Sequence, residues 1–448
     1  MAMRILGLGC LAAVGTAATC DSNVGDGDRR PQETVRLSVR ADGKEGKGSC
    51  DNAFISADGR YVVFESVADD LVVPDGNGYR DIILKDRATG ALENVTRVPP
   101  SVIYAVGIPF TVFLSHAFDP AVSRDGRFVA FRSKGAFQGP SSIPGGPNPT
   151  YNVYVFDRVL KTFRSAVDRL VFTFPDHDIT DYSMSADGRY IAFSSGAGNL
   201  GYANPGFIPQ VYVADMSFTP PILQLVSRGV GSPTEISNGS GAGRGRISAD
   251  GTRIVFASGS TNLGAANGSS HIYLGTPAGD PVELVTVLPG GAPATGMHGI
   301  PAVSGDGRYV AFYTWSTDIL GLGPGTHVLL RDRGISGVPS SVQVAFDDPW
   351  VQTNPPMLPS GEPISISEDG RMIAYANPDT INQIRVWNMQ GGISTVSISA
   401  TGEPGDLSSR LPVMSGDGRW VVWHSDAFNL VVGDGNLTRD IFLRGPLR

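Results

Sequence analysis

Along this chain the apolar residues come in short blocks, and most blocks are opened by one polar phrase. It reads SADGRYVVF from Ser56, SRDGRFVAF from Ser123, SADGRYIAF from Ser185 and SADGTRIVF from Ser248. SGDGRYVAF from Ser304, SEDGRMIAY from Ser367 and SGDGRWVVW from Ser415 complete seven copies, about 60 residues apart. Asp-Gly between two β-prone runs signals a hairpin, because glycine reaches positive φ without steric cost and the aspartate accepts bonds from the turn's own amides. The run after the turn, Tyr61-Val62-Val63-Phe64 in the first copy, is apolar at every position rather than at alternate ones. Such a strand is buried on both faces, which requires sheets stacked face to face.

Each copy continues alike. A third strand follows as DIILKD from Asp81, NVYVFD from Asn152, QVYVAD from Gln210, HIYLGT from His271, HVLLRD from His327, QIRVWN from Gln383 and DIFLRG from Asp440. Six units add a fourth strand: LENVT from Leu92, FRSAV from Phe163, LQLVS from Leu223, VELVT from Val282, SVQVA from Ser341 and STVSI from Ser394. The seventh unit stops at Arg448 without one, while VRLSVR, Val35 to Arg40, precedes the first unit and has no other partner. The pattern predicts an all-β fold: a seven-bladed β-propeller of four-stranded antiparallel blades, residues 33–448, closed by the N-terminal strand completing the last blade.

The phrase, the following strand and the turn Arg87-Ala88-Thr89-Gly90 resemble the TolB-like propeller repeats of bacterial envelope proteins. The resemblance runs from Val35 to Arg448. It implies a protein that binds a protein or small ligand at the channel mouth, without naming an activity, since such propellers serve as binders, scaffolds and halves of peptidases. The Asp-box of sialidases differs in placing a residue between Asp and Gly, which none of the seven copies does. Oligogalacturonate lyase is a second resemblance in fold, and implies a metal-dependent polysaccharide lyase using histidines of the channel mouth.

Composition narrows the classes. Gly (57) and Pro (32) exclude long helices, and 41% hydrophobic residues exclude disorder. A net charge of −8 offers no excess of Lys and Arg for nucleic acid, so no such partner is expected. Residues 1–18, with Arg4 followed by an apolar run from Ile5 to Ala18, read as a signal peptide, and 19–32 as a polar linker. Export to the periplasm, cell envelope or exterior follows. Cys20 and Cys50 stand either as a lipid-attachment site plus a lone thiol or as one disulfide, and both readings stay open. Any membrane contact would run through that anchor at Cys20, and a monomer is expected.

Ligands of propellers gather at the channel, so the residues before each first strand are the ones to inspect. These are Asp51 and Asn52, His116 and Asp119, His177, Asp178 and Asp181, Arg244 and Arg246, His298, Glu362 and Arg410. They form a polar mouth suited to an anionic ligand, or to a divalent metal with His116, His177 and His298 as imidazole ligands. Alternatively they are a solvated rim that caps strand ends. Two loops, Asp75-Gly-Asn77 to Asp81 and Asp434-Gly-Asn436 to Asp440, echo the start of a calcium loop without its closing Glu, and otherwise read as polar turns. An apolar insert, Val102 to Leu114, presents either a partner-binding patch or extra core, and a Pro/Gly-rich loop spans Gly135 to Pro149. No G-x-S-x-G, H-E-x-x-H, Cys-x-x-Cys or phosphate-binding glycine loop occurs.

Overall fold

The Asp-Gly turn of each of the seven phrases joins the inner and second strands of a four-stranded antiparallel sheet, and seven such sheets form among the described residues. The computed structural model describes residues 32–447 apart from 74, 76, 98–114, 136, 138–149, 168–174, 232–233, 266, 323–325, 335–340, 347–362, 378–380 and 391. The expected signal peptide, Cys20, Glu362 and the insert Val102 to Leu114 lie outside them.

Blade 1 runs from the centre outward as Cys50–Ile55, Tyr61–Ser66, Asp81–Asp86 and Leu92–Asn94. The inner strands of the other blades are Ala117–Val122, Ile179–Met184, Ala242–Ile247, His298–Val303, Ser365–Ile366 and Ser409–Met414. Val62, Val63 and Phe64 of the second strand are all fully buried, as their unbroken apolar run requires. Closure is by the N-terminal strand: Glu33–Arg36 pairs antiparallel with the last strand, Glu33 opposite Gly445 and Arg36 opposite Phe442. The strand is displaced from the expected span. Its pairing continues through Leu37, whose amide donates to Ile441, and the chain then turns so that Val39 bridges Glu45.

The repeated Asp-Gly has a second use beyond its turn. Gly126 sits at φ 71°, and a Cβ there would fall 2.3 Å from the Tyr61 ring of the preceding blade. Gly59 meets Trp420 of blade 7 in the same way, at 2.3 Å. In five of the seven phrases an aromatic holds this station and lies on the next blade's turn, and only glycine leaves room for it; Arg253 takes the place in blade 4 and Met372 stands there in blade 6. The serine and aspartate brace the hairpin itself: Ser56 Oγ donates to Asp58 Oδ1 at 2.6 Å, and the Arg60 amide to the same oxygen at 3.0 Å. The seven inner strands thus surround a channel with two unlike ends, a turn end carrying the Asp-Gly hairpins and a loop end where the inner strands begin.

Candidate functional site at the channel

Six inner strands carry a bulge near their start, at the register breaks Asp51/Phe54, Phe118/Ala121, Ile179/Asp181, Gly243/Arg246, Gly299/Ala302 and Arg410/Val413. Five of them place a non-glycine third residue in the left-handed region: Asn52 (φ 44°), Asp119 (53°), Arg244 (58°), Ile300 (51°) and Leu411 (51°). Each such residue costs on the order of 1 kcal/mol, and a β-branched Ile more, so the bulges spend stability to re-aim side chains at the loop end.

On one side of the mouth, blades 7, 1 and 2, those side chains are locked together. Asp51 receives Arg80 Nη1 at 2.8 Å and Arg439 Nη1 at 2.7 Å. Arg80 also reaches Glu65 Oε2 at 2.8 Å, and Arg439 reaches Asp426 at 3.0 Å. Glu65 accepts from the Asn52 amide group and from the Asp119 backbone, joining blade 1 to blade 2. Arg132 Nε donates to Asp119 at 2.6 Å, and the Tyr182 hydroxyl to the Asp119 carbonyl. Burial pushes Asp51 up, but the hydrogen bonds from Arg439 and Arg80 outweigh it and hold the carboxyl below its ordinary value. Glu65, more deeply buried, is raised by desolvation despite its amide donors. His424 is pushed down to about 4 by burial and by the Arg439 charge, and its Nδ1 accepts the Asn52 amide at 3.2 Å.

The side formed by blades 3, 4 and 5 is built from smaller pieces. Where blades 1, 2 and 7 place Glu65, Arg132 and His424 on the second strand, blades 3 and 4 place Ser194 and Ala257. Where Asp51 and Phe118 stand on the inner strand, blades 4 and 5 have Gly243 and Gly299, and a Cβ at either would meet nothing within 4 Å. Asp181 accepts from Ser194 Oγ at 3.1 Å and from the Arg244 amide at 3.3 Å, with Arg246 Nη1 3.6 Å away.

The three histidines named from sequence serve three separate neighbourhoods. His116 Nδ1 accepts the Arg80 amide at 2.9 Å, and its ring lies edge-on to Tyr79 at 5.5 Å. His177 stacks on Phe207 with centroids 4.0 Å apart. His298 is 2% exposed, stacks on His271 at 5.6 Å, and is pushed down to about 4 by burial and by His271. Among the described residues no three His, Cys, Asp or Glu are grouped to hold a metal ion. Asp178 accepts the Tyr151 amide at 2.8 Å, and Arg410 lies opposite His424 on the seventh blade.

The two Asp-Gly-Asn loops are held by the chain's own donors. In blade 1, Asp81 accepts from Thr96 Oγ1 at 2.7 Å, Asn94 at 3.0 Å and Asn77 at 3.1 Å, with Asp75 raising it through charge after burial. In blade 7, Arg36 stands at the station of Asn94. Its Nη1 meets Glu45 at 2.6 Å, Asp434 at 3.1 Å and Asp440 at 3.4 Å, while Asn436 donates to Asp440. Burial and Asp440 push Asp434 up to about 6. Among the described residues Cys50 has no disulfide partner; it is fully buried beside Ser66 Oγ at 3.4 Å, and as a thiol its pKa is raised by burial far above the range of a reactive cysteine.

The turn end holds a feature that the first-strand inspection missed. The second residue of each phrase, Ala57, Arg124, Ala186, Ala249, Gly305, Glu368 and Gly416, circles the channel there. Neighbouring blades exchange backbone bonds at this level, such as Ala186 N to Ala249 O at 2.9 Å and Glu368 N to Gly416 O at 2.8 Å. Five of the seven are small. The other two meet across the channel, Arg124 Nη2 on blade 2 with Glu368 Oε1 on blade 6 at 2.7 Å. They line a cavity of about 620 Å3 together with Asp125, Asp187, Asp250 and Asp306. The signal was in the alignment of the seven copies, at the one position that varies between small and charged.

No family model matches the chain, and no curated protein matches it. Among solved structures the chain is similar to TolB from Acinetobacter baumannii, with 15% identity and a TM-score of 0.40 over 77% of this chain and 62% of that one. The chain thus spans about three fifths of that protein's length. It is similar to a putative TolB from Agrobacterium tumefaciens, with 17% identity and a TM-score of 0.38 over 67% of this chain and 81% of that one. It is also similar to the β-propeller domain of the Trilobed protease from Pyrococcus furiosus, with 11% identity and a TM-score of 0.49 over 88% of this chain and 95% of that one. Among the described residues no helix is long and apolar enough to cross a membrane.

Proposed function

We propose that this chain is an exported, non-catalytic binding protein of a bacterial envelope, TolB-like in plan, that takes a protein or small ligand at the loop-end mouth of its channel. One observation carries the reading. Five inner strands hold a non-glycine residue in the left-handed region at the same station, Ile300 and Leu411 among them. Strain repeated at one level of a ring, around the opening where side chains converge, is the mark of a surface shaped for a ligand rather than for stability. The separate engagements of His116, His177 and His298 favour binding over metal-dependent lyase chemistry.

Cell fractionation tests the export, which places the mature chain outside the cytoplasm. Affinity capture from an envelope extract tests the mouth: one or a few proteins are retained by the wild type and lost from an Asp119→Ala/Arg132→Ala variant. Retention unchanged by that variant would sink the reading, as would stoichiometric metal that disappears in His116→Ala.

A further inference from the structure

We propose that Arg244 is the receptor for an oxyanionic group, a carboxylate or a phosphate, in the open side of the channel mouth between blades 3 and 5. The inference deepens the proposed binding role and rests on the mouth being a ligand site.

The argument starts from a cation without a mate. The arginines of the locked side that come from the third-strand loops or the second strand each hold a carboxylate: Arg80 on Asp51 and Glu65, Arg439 on Asp51 and Asp426, Arg132 on Asp119. Arg244 is partly buried too, yet its guanidinium makes no hydrogen bond or ion pair with the described residues. The nearest carboxylate is already engaged. Asp181 spends one oxygen on the Arg244 backbone amide and the other on Ser194, with Arg246 close by. Arg244, Arg246 and Asp181 leave one positive charge over.

The surroundings leave room for what would balance it. Gly243 precedes Arg244, and Gly299 occupies the same station on the next blade; both face at least 4 Å of open space at the Cβ position. Gly245, by contrast, is required by packing, since a Cβ there would lie 2.8 Å from Val211 of blade 3. The strand therefore leans on blade 3 at Gly245 and opens at Gly243, with Arg244 between them. The backbone is also held at φ 58° there, a conformation arginine adopts at a cost and glycine without one. Burial, and then repulsion from Arg246, lower the Arg244 pKa against the weaker pull of Asp181, so an anion arriving at the fork would relieve a penalty the folded protein already carries. A guanidinium fork matches a carboxylate or a phosphate with two parallel bonds, which is why the class is an oxyanion rather than a halide.

Titration calorimetry of the full-length protein at low salt, with inorganic phosphate and with succinate as separate probes, tests this. Binding of either probe, weakened at least tenfold in Arg244→Gln and unaltered in Arg124→Gln at the turn end, is the expected result. Phosphate alone points to a phosphorylated ligand and succinate alone to a carboxylate. Arg244→Gly guards against misfolding, because it removes the backbone strain: it should melt no lower than the wild type and still lose the anion. Millimolar phosphate and succinate both failing to bind, or binding equally to wild type and Arg244→Gln, overturns the inference. Protein capture lost in Asp119→Ala/Arg132→Ala but kept in Arg244→Gln, with no anion bound, would defeat this inference alone and leave the proposed role standing.

Discussion

The two sides of the channel mouth are made by the same repeat and filled in opposite ways. At three equivalent stations, blades 7, 1 and 2 place Asp51, Glu65, Arg80, Arg132, His424 and Arg439, and every arginine among them is paired with a carboxylate: Arg80 with Asp51 and Glu65, Arg439 with Asp51 and Asp426, Arg132 with Asp119. Blades 3 and 4 place Ser194, Ala257, Gly243 and Pro209 at those stations, and the charge that remains on Arg244 has no carboxylate on its fork. The strand plan is common to both, so the difference lies in side chains alone. It teaches that the locked side stands where the ring is sewn shut, next to the strand Glu33–Arg36 that closes blade 7, and that polarity there serves closure as well as the shape of the mouth. The open side has no seam to guard, and polarity there is free for the ligand proposed above.

If that division holds, the largest loss comes from the seam. Deleting residues 33–41 strips the outer strand from Asp440–Gly445 and removes Arg36, the guanidinium to which Glu45, Asp434 and Asp440 converge. Urea unfolding should show the greatest drop in midpoint of any variant described here, and an unchanged midpoint would break the account of closure. Next comes Asp51→Ala, which leaves Arg80 and Arg439 partly buried beside a missing partner and should cost about 3 kcal/mol by the same measurement. A loss under about 0.5 kcal/mol, the size expected of an unremarkable surface change, would mean the lattice is decorative.

Acid should erode both sides, through His424 on the locked side and His298 on the open one. His424 and His298 are neutral in the fold, with pKa values pushed down to about 4 from an ordinary 6.5. A depressed histidine contributes its full stability above about 6.5 and loses it as pH falls from there toward 4, on the order of 3 kcal/mol for each imidazole. Asp51, held low by Arg439 and Arg80, keeps its contribution over that same window and gives way only below the ordinary aspartate range. Thermal melts between pH 7 and pH 4 should therefore show a fall that His424→Gln and His298→Gln each flatten. The smallest effect belongs to Gly243→Ala, within about 0.5 kcal/mol, because the new methyl would enter open space. A substantial loss from this change would show the open side to be filled after all.

The fold was legible because it is written seven times. Asp-Gly and the unbroken apolar run fix each hairpin locally, and seven agreeing copies leave little to long-range chance. The missing fourth strand was found by subtraction, from VRLSVR having no other partner, although the ladder formed slightly earlier, at Glu33–Arg36. The site was legible only as a zone. Sequence placed Asp51, Asp119, Asp181, Arg244 and Arg246 just before the inner strands; the structure has them inside those strands, Arg246 close to the end of its own. It had no means of knowing that Arg80 and Arg439, about 29 and 388 residues away from Asp51, would land on the same carboxylate. Nor did it foresee that His298 would be buried against His271 instead of facing solvent, since each histidine opens its own strand and the stacking depends on how blades 4 and 5 meet. Arg124 and Glu368 were visible as the two charged members of a small-residue column, but their meeting across the channel is a property of the closed ring.

In five phrases the aromatic rests on the glycine of the next blade, Tyr61 on Gly126, Phe128 on Gly188, Tyr190 on Gly251, Tyr309 on Gly370, and finally Trp420 on Gly59. That contact has a direction. Each blade offers one kind of face forward and another kind back, so the molecule is a head-to-tail assembly whose units happen to share a chain. Interfaces of this type make rings when the rotation closes and open filaments when it does not. What selects the ring is the short first strand, which spends the free edge of blade 7 inside the same molecule. A chain that lost its hold on that strand would present a ready acceptor to the corresponding strand of its neighbour. Closure therefore also decides what this edge can pair with, and a strand exchanged between copies would be the first sign that it had failed.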